Sequence, residues 1–481
     1  MNRRMVFFVT GRVVIIIGLL MILPILIGLC FHEGLDTLLP IVKAALCAIV
    51  FGLLLTCRPP KNRSIHIREG IAITSLSWLL TVFFGALPFV FSSAIPSLVD
   101  AFFESASGFT TTGSSIINDI EALPNSLLFW RSFTHFIGGM GVLMFAIALL
   151  PGSSSENIYL LKAEVPGPTF EKVLSRIREV ARTFYIIYAV FALVLFCVLM
   201  AAGMTPFDAI IHTFSTAGTG GFSNYNDSVA HFNSVPIELI LSVGMLMFGV
   251  NFNLYFFALR GHWKIFVKSE ELRWYLGIVL VAMIALTASV ANEYDSLLIC
   301  LKDTFFTVST VITTTGFGTV DFVQWPLFSQ LIILMLMFIG GCAGSTAGGL
   351  KVSRIVLYLK MGLKKFRQAS SPNRINVVTY ENKPIGDHIQ NDIALYFLLY
   401  IGVFCTGILL LSFENLDFGT TVSAVTTTFN NIGPGLGDLG PKSNFSTLSD
   451  FSKIVLSFVM IAGRLEIVPL ILLFAPSTWR R

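Results

Sequence analysis

Apolar runs of bilayer length constrain this chain more than any other feature. They are Val13–Phe31, Ile41–Thr56, Ile71–Phe91, Trp130–Leu149, Phe184–Ala202, Ile237–Leu259, Tyr275–Ala291, Leu327–Ile339 with its continuation, Ile393–Phe413 and Ile454–Phe474. A helix needs about 20 apolar residues to cross the hydrocarbon. Backbone in lipid must satisfy its own hydrogen bonds, so only helices and closed barrels span it. Runs this long select helices. With 12% charged residues, against roughly 25% in soluble domains, the chain reads as an integral membrane protein. Met1–Leu20 opens with a basic stretch like a signal peptide. Its apolar run continues to about Cys30 without an A-x-A-like cleavage site, so it reads as a retained span.

A degenerate Thr- and Gly-rich stretch lies between later runs in four copies: Phe109–Ser114, Thr216–Phe222, Thr313–Gly318 and Phe429–Gly435. Each follows a short apolar segment opened by an acid, Asp100, Asp208, Asp303 and Asp417. One copy would mean little. Four in the same relative place predict four units about one axis, each giving one backbone strand to a shared site. Non-helical backbone at membrane depth is tolerated only inside protein or along a cavity. Backbone carbonyls there can replace the water of a dehydrated cation without binding it too tightly, and glycine supplies the unusual torsions this requires. The acids suit helix N-termini, where the dipole is positive. They are simple caps, or they also concentrate cations at the mouth. Glu104 lies one turn beyond Asp100, and whether it faces a neighbouring unit stays open at this point.

The loops carrying Arg58, Lys61, Arg63 and Arg68, then Lys162, Lys172, Arg176, Arg178 and Arg182, then Arg260, Lys264, Lys268 and Arg273, then Lys360, Lys364, Lys365, Arg367 and Arg374, are basic, as are both termini. All fall on one side if the spans alternate. The positive-inside rule makes that side cytoplasmic, so the four stretches enter from outside. The expected fold is an all-α polytopic membrane protein: two leading helices (1–66), then four helix–pore-helix–helix repeats (67–150, 151–262, 263–372 and 373–481) around a pseudo-fourfold pore.

The third unit departs from the others. Leu327–Ile339 is followed by Gly340-Gly341-Cys342-Ala343-Gly344-Ser345-Thr346-Ala347-Gly348-Gly349 and then Leu350-Lys351. Glycine costs about 1 kcal/mol relative to alanine in a helix, so the run should unwind. It forms a loop across the pore, or packs helices closely through small residues. Arg464 sits in the middle of the last span, where a charge costs at least about 2.5–3.5 kcal/mol and marks a functional site by default. It touches the glycine run from the cavity, or pairs with Glu466. His135 is expected near the outer end of its helix in a polar packing role.

No other His, Cys or carboxylate grouping has metal-ligand spacing. No catalytic constellation, nucleotide-binding glycine motif or nucleic-acid signature is present, so the chain is not expected to be an enzyme or to hold a cofactor. The seven cysteines form no disulfide framework; Cys47, Cys197 and Cys405 read as small core hydrophobes.

At Phe103–Gly113, Gly340–Lys351 and Gly463-Arg464, with the two leading helices, the chain resembles the Trk/Ktr/HKT superfamily of potassium transporters, most closely its TrkH/TrkG-type membrane subunits. The resemblance covers nearly the whole chain. It implies K⁺ as the transported ion and a filter of backbone carbonyls before one glycine per repeat. Those glycines are Gly113, Gly220, Gly316 and Gly433. The donors are near Thr111 and Thr112, Gly218 and Thr219, Thr314 and Thr315, and Asn431 and Ile432. The glycine-rich second stretch leaves Gly220 and Gly221 both open. Serine at the first glycine accompanies sodium permeation in some plant members; Gly113 favours potassium. The resemblance also implies a gate formed by Gly340, Gly341, Gly344, Ser345, Thr346, Gly348, Gly349 and Arg464. It further implies a homodimer in a bacterial inner membrane with both termini cytoplasmic, and a cytoplasmic TrkA-like ring that binds NAD(H) or ATP. Rival readings are a symporter coupling potassium to H⁺ or Na⁺, and an organic-solute symporter with broken helices.

Overall fold

A computed structural model describes residues 1–60, 65–141, 177–371 and 377–479. The two leading segments are α1 (Arg3–Leu20), continued after Met21 by α2 (Ile22–Cys30), and α3 (Leu35–Thr56). Small residues let them approach closely. A Cβ on Gly11 would lie 2.8 Å from the Gly52 carbonyl oxygen, and one on Gly18 would lie 3.0 Å from that of Ala45.

Four units follow. The first has α4 (Ile67–Phe91), α5 (Leu98–Phe109) and α6 (Asn125–Gly139). The second has α7 (Ile177–Ala201), α8 (Pro206–Gly218), α9 (Val235–Phe248) and α10 (Phe252–Leu259), with α11 (Trp263–Lys268) leading onward. The third has α12 (Glu270–Val290), α13 (Leu297–Ile312) and α14 (Leu327–Ile339), followed by α15 (Val352–Ser370). A small antiparallel hairpin, β1 (Thr379–Tyr380) with β2 (Lys383–Pro384), pairs Thr379 with Pro384. The fourth unit has α16 (Asp387–Leu411), α17 (Phe418–Phe429), α18 (Asp450–Arg464) and α19 (Val468–Phe474), then the short α20 (Pro476–Trp479). The expected boundaries at 150/151 and 372/373 lie outside the described residues, as do Lys61, Arg63, Lys162, Lys172, Arg176 and Arg374.

Each unit thus has an outer helix, a short helix and an inner helix. Among the described residues, six helices are long and apolar enough to cross a membrane: α1–α2, α3, α4, α7, α12 and α16; α9 with α10 makes a seventh if that pair, bent by 89°, is one span. Full inner spans were expected at Trp130–Leu149, Ile237–Leu259 and Ile454–Phe474, with an interruption in the third unit alone. The structure corrects this: α6, α9, α14 and α18 all stop after 13–15 residues. The breaks have local causes. Gly141 takes φ +81 after α6, Gly340 takes φ +72 after α14, and Glu466 and Ile467 take φ +57 and +68 after α18. Asn251 caps the restart of α10 with its side-chain oxygen. Residues 142–149 lie outside the described residues.

The short helices are buried and rich in Ser and Thr. Thr110 donates to the Ala106 carbonyl at 2.6 Å, Thr313 to that of Ser309 at 2.6 Å and Thr428 to that of Ala424 at 2.7 Å, so these hydroxyls are satisfied inside their own helices. Three of the acids sit in the first turn or at the cap. Asp100 and Asp208 follow the N-caps Ser97 and Thr205, and Asp417 is itself the N-cap of α17. Asp303 does not: α13 begins at Leu297, so this acid lies in the second turn beside Lys302, 3.0 Å away. Cys47, Cys197 and Cys405 lie on exposed outer faces rather than in the core.

Candidate functional site

After each short helix the backbone repeats one pattern. A residue in the left-handed region comes first: Thr111, Thr219, Thr314 and Asn431, with φ of 56–57. The N–H of the next residue reaches back five positions. Thr112 bonds the Ser107 carbonyl at 2.8 Å, Gly220 that of Ser215 at 2.8 Å, Thr315 that of Thr310 at 2.8 Å and Ile432 that of Thr427 at 2.9 Å. A glycine with positive φ comes third: Gly113 (+81), Gly221 (+79), Gly316 (+87) and Gly433 (+104). Left-handed threonine is a genuine outlier for a β-branched residue. Its recurrence means that the surrounding contacts over-determine it.

This pattern corrects one expectation. The second triplet is Thr219-Gly220-Gly221, so the glycine in register with Gly113, Gly316 and Gly433 is Gly221 and not Gly220. Gly218 corresponds instead to Thr110, Thr313 and Asn430 at the helix ends. Glycines at 218, 220 and 221 made either register compatible with the sequence.

The four triplets close on one another. A Cβ on Gly113 would lie 2.0 Å from the Gly220 carbonyl oxygen, and on Gly221 2.1 Å from that of Thr315. On Gly316 it would lie 2.0 Å from that of Ile432, and on Gly433 2.8 Å from that of Thr112. Each glycine therefore abuts the residue before the glycine of the next unit, and the fourth returns to the first. Only glycine permits this approach. Side chains reinforce the seam between units four and one: Asn431 donates its amide to the Thr112 hydroxyl at 2.9 Å, and Ser114 donates to the Gly433 carbonyl at 3.2 Å.

Beneath the ring lies the glycine-rich run. It is unwound between α14 and α15 and held from several sides. The Gly348 N–H donates to the Thr314 hydroxyl at 2.6 Å. The Ala343 N–H donates to the Glu271 carboxylate at 2.6 Å, and the Cys342 N–H to the Gly249 carbonyl at 2.9 Å. The buried Lys351 ammonium donates to the Ala347 carbonyl. A Cβ on Gly348 would lie 2.2 Å from the Asn430 carbonyl oxygen, so the run passes directly under the fourth strand. A cavity of about 80 Å³ beside it is lined by Asn431, Gly348, Lys351, Gly463 and Arg464 among others.

Arg464 is the last residue of α18 and lines this cavity. Its guanidinium donates to the Thr346 carbonyl at 2.7 Å and to the Gly138 and Gly139 carbonyls at 2.6 and 2.7 Å. It therefore ties the glycine run to the broken end of α6. The alternative ion pair is not formed: Glu466 pairs with Arg354 of α15, at 2.5 Å. The cation thus meets the last carbonyls of α6, where a helix dipole favours positive charge, and one carbonyl of the unwound run.

Buried side chains back the first two strands. Glu104 of α5 is fully buried and accepts from Arg131 of α6 at 2.6 Å, from the Ser115 hydroxyl at 3.1 Å and from the Ile116 N–H at 3.0 Å. Arg131 also donates to the Ser223 carbonyl at 2.9 Å and lies 3.6 Å over the Phe222 ring. His135 stacks on Phe222 from the other side at 4.1 Å. It lies one turn before the end of α6, behind Gly220, whose Cβ would fall 2.4 Å from its ring, and not near the outer end of the helix. An arginine inside an apolar run was the available signal. Among the described residues no group of three or more His, Cys, Asp or Glu could hold a metal ion.

The profile of the TrkH family, described as a cation transport protein, matches residues 40–481. The chain is 36% identical, over 100% of both sequences, to the Trk system potassium uptake protein TrkH of Salmonella typhimurium. It is 34% identical to the Trk system potassium uptake protein TrkG of Escherichia coli, over 86% of each. Its fold matches the crystal structure of the potassium transporter TrkH from Vibrio parahaemolyticus with a TM-score of 0.89 and 32% identity, covering 100% of both chains.

Proposed function

Since this chain belongs to the TrkH family of cation transport proteins, we propose that it is the membrane subunit of a potassium uptake system and that its four closed triplets are the ion filter. The observation carrying this reading is the ring of glycine–carbonyl approaches from Gly113 round to Gly433. On this reading the backbone oxygens of Thr112, Gly220, Thr315 and Ile432 form one layer of the filter and those of Thr111, Thr219, Thr314 and Asn431 the next. Such oxygens take the place of the ion's hydration shell and let it leave again. Potassium is the cargo, and no chemical step on it is needed. A negative interior favours inward movement by about 2.3 kcal/mol per charge per 100 mV.

Below the filter, Gly340–Gly349 and Arg464 act as the gate. The loop is held by hydrogen bonds and, at the buried Cys342 and Ala347, by apolar contact, without the ladder of a helix. Arg464 pins it and places a fixed positive charge under the filter, an electrostatic barrier to a cation. The chain sits in a bacterial inner membrane with both termini cytoplasmic and the short helices entering from outside, a reading supported by the basic loops. It works as a homodimer with a TrkA-like cytoplasmic ring whose NAD(H) or ATP controls the gate. This chain holds no cofactor of its own.

Rubidium-86 uptake into proteoliposomes, competed by K⁺ and by Na⁺, tests the reading. Uptake should be blocked by K⁺ but little by Na⁺, and Gly113→Ser should weaken that discrimination. Arg464→Ala removes three charge-assisted hydrogen bonds of about 1.5–3 kcal/mol each and should raise flux at least about tenfold. Equal competition by Na⁺ would refute the potassium assignment. A reversal potential that follows an imposed H⁺ or Na⁺ gradient would replace the channel mechanism with coupled symport.

A further inference from the structure

We infer that the buried Glu104–Arg131 pair is a positioning device for ion selectivity, setting the spacing between the first and second strands of the ring. The inference rests on the filter reading above and extends it to residues that never face the ion. The Glu104 carboxylate uses both oxygens on the outgoing end of the first strand, at the Ser115 hydroxyl and the Ile116 N–H. Its partner Arg131 uses one nitrogen on Glu104 and another on the Ser223 carbonyl, at the outgoing end of the second strand. The guanidinium plane covers Phe222, the residue after Gly221. The two side chains are 0% and 2% exposed. The path from Ile116 to Ser223 is thus a short rigid line of charge-assisted bonds, and the planar guanidinium fork fixes its angle as well as its length. A carbonyl cage selects among ions by size and field, so the spacing of two adjacent strands enters selectivity directly.

The position is specific to this side of the ring. Counting seven residues back from the left-handed residue, units one to four carry Glu104, His212, Thr307 and Ala424. Two residues beyond the glycine they carry Ser115, Ser223, Gly318 and Gly435. The second unit repeats the link in neutral form, His212 Nε2 to the Ser223 hydroxyl at 3.2 Å. The third and fourth units have glycine where the partner side chain would stand.

The test is the ratio of Na⁺ to K⁺ concentrations that halve rubidium-86 uptake into proteoliposomes by the full-length chain, with folded protein confirmed by size exclusion in detergent. Glu104→Gln keeps an acceptor but removes the charge and should lower that ratio about tenfold, the factor that about 1.4 kcal/mol represents. Arg131→Lys keeps the charge but cannot reach Glu104 and Ser223 in one fork; it should lower the ratio about threefold, and it carries the test if Glu104→Gln does not fold. Lys302→Met breaks another ion pair, with Glu238 at 2.7 Å, and should leave the ratio unchanged. An unchanged ratio in folded Glu104→Gln, with a changed one in Gly113→Ser, would overturn the positioning role and leave the filter standing. An unchanged ratio in both would overturn the filter reading and this inference together. A shift in Lys302→Met as large as in Glu104→Gln would reduce the effect to general loosening and overturn the inference.

Discussion

The two halves of the ring are backed differently. Strands one and two lean on side chains: Glu104, Arg131, His135 and His212, all buried. Strands three and four lean on the intramembrane loop and on one another. Gly348 donates to Thr314, and a Cβ on Gly348 would meet the Asn430 carbonyl at 2.2 Å. Tyr400 donates to Asn430 from the outer helix at 2.7 Å. One half therefore has a fixed backing of ionic and aromatic groups. The other half shares atoms with a segment that has little regular hydrogen bonding of its own. On the proposed gating, movement of the loop would reach strands three and four first, while strands one and two would hold the reference geometry.

The largest expected effect comes from the ring itself, which both halves share. Gly221→Ala or Gly316→Ala puts a Cβ about 2 Å from a backbone oxygen at a positive φ. Such backbone strain costs about 1–3 kcal/mol before the clash is counted, and rubidium uptake should fall well over tenfold. Gly220→Ala distinguishes the halves more sharply, because its clash is with the His135 ring. A second change, His135→Ala, should restore uptake to Gly220→Ala but not to Gly221→Ala. Restoration of Gly221→Ala but not of Gly220→Ala would mean that Gly220 and not Gly221 carries the register.

Stability should divide the halves next. Glu104→Ala leaves Arg131 buried without its carboxylate and should cost about 3–5 kcal/mol, read as a fall in the unfolding midpoint in detergent. Ala424→Gly at the equivalent place in unit four should cost only about 1 kcal/mol. Similar losses would remove the distinction between a braced and an unbraced half.

A smaller effect tests the loop's hold on strand three. Thr314→Val removes the acceptor for Gly348 and should weaken the closed loop by about 1 kcal/mol, raising uptake about fivefold with the K⁺ preference kept. An altered preference instead would mean that the loop helps set the filter geometry at rest.

The smallest effect lies outside the comparison. Asp417 is held below the usual carboxylate range by the Thr420 hydroxyl and then the Thr420 N–H. Its contribution is fully present above the unfolded value of 3.8 and is lost as pH falls through the lowered folded value. Asp417→Ala should slightly flatten the acid side of the stability curve and leave uptake at neutral pH unchanged.

Much of this was readable in the sequence because the bilayer leaves few choices. Long apolar runs became helices, and the four stretches recurred where they were expected. The glycine run unwound because ten residues with five glycines cannot hold a helix. What escaped reading depended on residues far apart in the chain. Glu104 and Arg131 are 27 positions apart, and neither has a local pattern that announces the other. The breaks after Phe248 and Arg464 fall inside apolar sequence, where composition still says span; the backbone reverses at Glu466 and Ile467 without a glycine. The register of the second triplet turned on torsions at Thr219 and Gly221, which a run of similar residues conceals.

The closing of the ring has one further consequence. Each triplet presents one face to the unit before it and a different face to the unit after it, the head-to-tail contact that generates rotational assemblies. Four separate copies of one unit would make the same seam four times, and any improvement at one seam would be imposed on all. Joined in a single polypeptide, the four seams can differ: a carboxylate stands at Glu104 and an alanine at Ala424 of the corresponding position. Covalent linkage frees the assembly from its own symmetry, so one quadrant can specialise in holding still while another specialises in responding.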